Sequence, residues 1–120
     1  MTDRNDIKKN IRKDKRFSEE KKILTDIFKD IPENKKSLVS GLIESAAFMR
    51  VVLERCQKDI QENGYQQKYQ NGASQFGFKR SISAEIYATY SKLYQAAIKQ
   101  LTPLLPEEYD EDELAQFLNE

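Results

Sequence analysis

The chain predicts a mainly α fold: a long antiparallel helical hairpin, preceded by a short helix and joined by a small β-hairpin-like connector. Two long stretches repeat apolar residues every three or four positions, which is the helical period. The segment between them breaks that period with glycines and spaced aromatics, and the two ends carry opposite charge.

Residues 1–16 read as a basic flexible arm. After Met1 its only aliphatics are Ile7 and Ile11, too few to offset the entropy lost on ordering. A first helix over about 18–31 follows from Phe17, Ile23, Leu24, Ile27, Phe28 and Ile31. Ser18 is its cap and Glu19 and Glu20 lie in the first turn. Pro32 closes it, because the proline ring disfavours helical geometry in Ile31. A second helix over 33–63 opens with Asp30 and Glu33 spaced like a capping box. Its seam is Leu38, Leu42, Ala46, Met49, Leu53, Cys56 and Ile60, broadened by Val39, Ile43, Ala47 and Val52. Asn63-Gly64 is its left-handed stop. About 30 residues make a rod of roughly 45 Å, long for the middle of a compact domain of this size.

Residues 64–81, GYQQKYQNGASQFGFKRS, fit a hairpin turning at Asn71-Gly72, with an irregular loop as the alternative. A third helix over 82–102 starts near Ser81 or Ser83. It carries Ile82, Ile86, Tyr90, Leu93, Ala97, Leu101 and Leu104 along one seam, and Pro103 and Pro106 end it. Residues 17–106 thus form a helical core and 107–120 an acidic tail.

Length and composition bound the chemistry. The 120 residues suit one domain, with 33% charged and 38% hydrophobic residues and a mean hydropathy of -0.79. There is no His and a single Cys, Cys56. Histidine-dependent catalysis, His-bearing zinc sites and an internal disulfide are excluded, and no metal or cofactor is expected. Cys56, on the seam, reads as a small hydrophobe. No apolar run reaches the roughly 18 residues of a membrane span, and Met1 is followed by TDRNDIKKN rather than a signal core. The expectation is a soluble intracellular chain. The zero net charge is polarised: residues 1–36 hold twelve basic against eight acidic side chains, and 107–120 hold seven acidic and none basic.

Two amphipathic rods in a lone hairpin cover one stripe each. The apolar residues beside the stripes then call for further copies, so a homo-oligomer of closed symmetry is expected. The seam, in the core or between copies, is assigned to Leu38, Leu42, Met49, Leu53, Ile60, Ile86, Tyr90, Leu93 and Leu101.

The run DIPENKKSLVSGLIESAAFMRVVLERCQKDIQENG, then YQQKYQNGASQFGFKRS, then a Tyr-rich helix ending LTPLLP resembles phage small terminase subunits of the P27-like group. The resemblance covers residues 30–106, most specifically IPENKK, the AAFM segment from Ala46 to Met49, and QNG followed by FKRS. Ile82-Ser83 stand where similar sequences often carry a proline. The resemblance implies a ring-forming helical oligomer in the host bacterial cytoplasm. Such an oligomer recognises double-stranded viral DNA and presents it to a large terminase subunit, which supplies the ATPase and nuclease. The chain itself would be no enzyme: Gly41, Gly64, Gly72 and Gly77 lack the Gly-Lys-Ser/Thr ending of a phosphate-binding loop.

Candidate DNA contacts are Lys8, Lys9, Arg12, Lys13, Lys15, Arg16, Lys21 and Lys22, a cationic cluster suited to phosphates through counterion release. The plainer alternative is a solubilising terminus, since Asp3, Asp6, Asp14, Glu19 and Glu20 dilute it. Lys79 and Arg80 are secondary contacts or solvated strand-end charges. Tyr65, Tyr69, Phe76 and Phe78 either stack on bases or pack, as a small core across the hairpin or in a contact between subunits, and packing is the preferred reading. Tyr87, Tyr90 and Tyr94 share a helical face and also read as packing. In the tail, Leu114, Phe117 and Leu118 are candidates for docking the large subunit. The contrasting function is a helical homo-oligomeric regulatory or structural interaction module without nucleic-acid binding.

Overall fold

A computed structural model describes Ile7, residues 9–70, Gly72, residues 75–106 and residues 111–118, with the side chains of positions 111, 113, 117 and 118 excepted. A 3-10 turn, Ile11–Lys13, leads into α1 (Lys15–Ile27) and α2 (Glu33–Asn63). Strands β1 (Gln66–Gln70) and β2 (Phe76–Arg80) follow, then α3 (Ile82–Leu101), a 3-10 turn over Thr102–Leu104, and α4 (Glu111–Leu118). The described residues are mainly helical, with one small antiparallel sheet.

Local chemistry sets the boundaries. The cap of α1 is Asp14 rather than Ser18: its Oδ1 accepts the Arg16 amide at 2.9 Å, so the helix starts three residues earlier than expected. It also stops earlier, at Ile27, with Phe28 as the C-cap. The expected Asp30–Glu33 capping box does not form. Pro32 occupies the cap position without a side-chain hydrogen bond, and Glu33 instead pairs with Lys36 at 2.8 Å. Gly64 ends α2 at φ +80°, a conformation that costs glycine nothing. Ser81 caps α3, its hydroxyl accepting the Ala84 amide at 3.1 Å.

The α2 helix is the spine, and both α1 and α3 pack against it. Arg50 meets Tyr94 and Gln57 meets Tyr87, so α3 runs antiparallel to α2, as the periodicity predicts. One core cluster joins Leu24, Ile27, Phe28 and Ile31 to Val39, Ile43, Ala46 and Leu53, and closes with Tyr94, Ala97 and Leu101. A second joins Ile7, Ile11 and Phe17 to Ala47, Val51, Val52 and Cys56. Ala46 and Ala47 are fully buried and adjacent, one in each cluster. Their small side chains let both neighbours approach the spine.

Three expectations change here. The first 16 residues are not unanchored throughout: Ile7 and Ile11 are buried against α2. The seam is rotated. Leu53 and Leu101 are buried, while Leu42, Met49, Ile60, Ile86 and Tyr90 are half-buried. Leu38 and Leu93 are exposed, at 60% and 50%. A spine with two neighbours buries more than one stripe, and α3 turns Tyr94, Ala97 and Leu101 inward instead of Leu93. In the tail, Leu114 is buried in the chain's own first core cluster, which removes it from the docking set. The side chains of Phe117 and Leu118 lie outside the described residues, as do Lys8 and Asn71. The body measures 63 × 25 × 24 Å, with a radius of gyration of 17.5 Å. A compact chain of this length has about 14 Å, so the molecule is elongated.

Candidate nucleic-acid interface

The cationic segment divides into side chains committed to the fold and side chains turned outward. Arg16 belongs to the first group. Its Nε and Nη2 donate to the two Glu54 oxygens at 3.1 and 2.9 Å, its Nη1 to Glu19 at 2.8 Å, and its Nη2 also to buried Glu20. Glu54 and then Glu19, outweighing burial, hold the guanidinium charged, well above its ordinary value. Arg16 therefore cross-links α1 to α2 and is not a free phosphate contact. Arg12 lies 3.3 Å from Glu44 in an exposed pair, which salt screens readily.

Arg55, which the sequence reading passed over, ties down the arm. Its guanidinium donates to the Ile7 and Lys9 carbonyls and, at 2.9 Å, to Asp14 Oδ2. Asp14 thus caps α1 with one oxygen and receives Arg55 with the other. Burial pushes its carboxyl up, but the Arg16 amide and Arg55 outweigh that and leave it below its ordinary range.

Four of the predicted contacts remain outward. Lys13, Lys15, Lys21 and Lys22 are exposed and have no ion pair within 4 Å among the described residues. Lys15 and Lys22 stand two turns apart on the outer face of α1, opposite its buried Phe17, Glu20, Leu24 and Ile27. Lys21 also borders a groove of about 320 Å³ between α1 and α2, floored by Phe28, Val39 and Ile43 and flanked by Lys29 and Lys36. Lys9 is exposed beside Asp14 and Arg55.

At the far end of α2 the connector is a true hairpin, paired from Gln66↔Arg80 to Gln70↔Phe76. Gly72 takes φ +83° in its turn, as expected of a residue placed there. Its aromatics do not form a small core. Tyr65, Phe76 and Phe78 are each more than 60% exposed. Only Tyr69 packs, laying its ring over Gly77, where a Cβ would sit 3.1 Å from the Tyr69 oxygen. Lys79 and Arg80 are exposed at the hairpin's end.

The tyrosines of α3 do pack. Tyr94 is buried, and burial pushes its hydroxyl up to about 12 against the nearby Arg50 charge. The Tyr87 hydroxyl accepts from Gln57 at 3.2 Å at the helix rim. Cys56 is fully buried. Among the described residues no cluster of carboxylates and thiols suits a metal ion, and no helix is long and apolar enough to cross a membrane. Comparison with protein-family models, curated proteins and solved structures returns no match.

Some of this layout was open to sequence reasoning. Arg50 and Glu54 are four residues apart on one helix, and they approach to 3.4 Å as such spacing suggests. Arg55 to Asp14 spans the fold and leaves no sequence signal.

Proposed function

We propose that the chain is a non-enzymatic DNA-packaging adaptor of the small terminase kind, an oligomer that binds double-stranded viral DNA and delivers it to a large ATPase-nuclease subunit. The observation that carries this reading is the set of four outward lysines on the arm and α1, Lys13, Lys15, Lys21 and Lys22, which have no ion pair among the described residues. Together with the likeness of residues 30–106 to small terminase subunits, they give a phosphate-binding surface on a helical body. Exposed Leu38 and Leu93 support contact between copies, since large apolar side chains on α2 and α3 gain by leaving water. Assembly would multiply the lysine sets, so that weak single contacts act together on one duplex.

A duplex titration in increasing salt tests the reading. If each of the four lysines neutralises one phosphate, log affinity falls with log salt at a slope of roughly -3.6 per bound protomer. Substitution of Lys15 and Lys22 by Gln flattens it by about 1.8. A chain that ignores duplex DNA even at low salt overturns the proposal and leaves a helical interaction module in its place.

A further inference from the structure

The β-hairpin stands apart from the helical body. Nearly all of β1 and β2 is exposed, with only Gln67 and Gly77 half-buried. Its base is nevertheless fixed. The Ser81 amide donates to the Tyr65 carbonyl at 2.7 Å, and the Ile82 amide donates to Gln67 Oε1 at 3.3 Å. Residues directly opposite each other in an antiparallel pair share a face. The register therefore puts Gln66, Lys68, Phe76, Phe78 and Arg80 on one side of the ribbon, with Tyr69 and Lys79 on the other. Lys68 Nζ lies 4.5 Å from the centre of the Phe76 ring, so its charge is held over that face.

We infer that this Phe76–Phe78 face is a second DNA-contacting surface, a two-stranded ribbon that lies in a groove of duplex DNA. The inference rests on the adaptor reading and adds where the duplex is touched. Charge selects the occupant. Residues 64–81 contain Lys68, Lys79 and Arg80 and no carboxylate at all. A polyanion complements that face, whereas a second hairpin would set like charges against each other. Size agrees: strands about 4.8 Å apart form a ribbon that the roughly 12 Å major groove admits. Chemistry agrees as well. The Gln66 amide both donates and accepts along base edges, phenyl rings meet thymine methyl groups, and the flanking cations reach phosphates. A short ribbon with two exposed phenylalanines gains little on its own from folding, and a bound duplex would cover them.

The test compares the full chain with two variants, Phe76→Ser/Phe78→Ser and Lys68→Gln/Arg80→Gln, on a duplex and on a single strand of the same sequence. Native mass and circular dichroism are followed in parallel. The aromatic variant should bind duplex about tenfold more weakly with unchanged mass and helix content. The cation variant should flatten the salt slope by about 1.8. If the unaltered chain fails to bind duplex, the adaptor reading itself falls. If it binds and both variants bind equally well, only the hairpin inference is overturned. It is likewise overturned if the aromatic variant loses its assembled mass, which would make the ribbon a contact between copies, or if single strands bind more tightly than duplex.

Discussion

Asp14 and Arg55 show how much one pair of side chains decides. Asp14 caps α1 and receives Arg55, which also holds the Ile7 and Lys9 carbonyls, so the arm's path depends on both charges. Arg55→Ala removes those bonds at once and leaves Ile7, Ile11 and Phe17, the exposed Arg12–Glu44 pair and the Arg16 cross-link to hold the described part of the arm. Hydrogen bonds to charged groups contribute about 1.5–3 kcal/mol, so the arm should become an early site of proteolysis while α2 and α3 keep their helicity. The pH sign follows from the lowered Asp14 carboxyl. Its contribution is fully present above the ordinary carboxyl value near 3.8 and is lost as pH falls through the lower folded value. Opening of the arm, read as hydrogen exchange corrected for the intrinsic rate at each pH, should therefore rise on acidification below about pH 4. Asp14→Asn, which keeps a capping oxygen but no titrating charge, should flatten that rise. The same scale shows where sequence reasoning ends. Lys15 and Lys22 were legible as outward charges, but Arg16 was not legible as a cross-link. Its partner Glu54 comes from another helix, and tertiary pairing of charges has no local signature.

At the scale of elements, α2 carries the architecture. Its bounds were readable from Pro32, Asn63-Gly64 and an unbroken apolar period, because those features act within the helix itself. Which of its residues would be buried was less readable. Leu38 fits the seam by spacing yet lies in water, because burial depends on where α1 and α3 approach. The start of α1 misled for a different reason: Ser18 and Asp14 are both competent caps, and the buried arm favours the earlier one. The adjacent Ala46 and Ala47 are the positions at which this packing is least tolerant. Ala47→Leu would push the Ile11 and Phe17 side out of register with the spine. Overpacking of this kind costs about 1–3 kcal/mol, which denaturant melts would record as a lower midpoint at unchanged slope. An equal midpoint would mean that the spine is looser than its burial implies. The hairpin was legible as a turn at Gly72 between spaced aromatics. That its phenylalanines would face water was not, since exposure of Phe runs against their usual place.

At the scale of the molecule, less apolar surface is left to drive assembly than a bare two-helix hairpin would leave. Two amphipathic rods have flanks to hide, and this chain hides part of them with its own α1, Ile7, Ile11 and Leu114. Among the described residues, Leu38, Leu93, Ile82 and the hairpin aromatics stay exposed, on a body 63 Å long. These surfaces and the outward lysines are the physical basis of the adaptor proposal, with copies meeting along the rods and cations gathered on one duplex. Native mass spectrometry of the full chain at micromolar concentration, with and without duplex DNA at low salt, tests that account most directly. It predicts a closed multimer that takes up duplex as one particle. A solitary folded protomer that leaves the DNA unbound would contradict it.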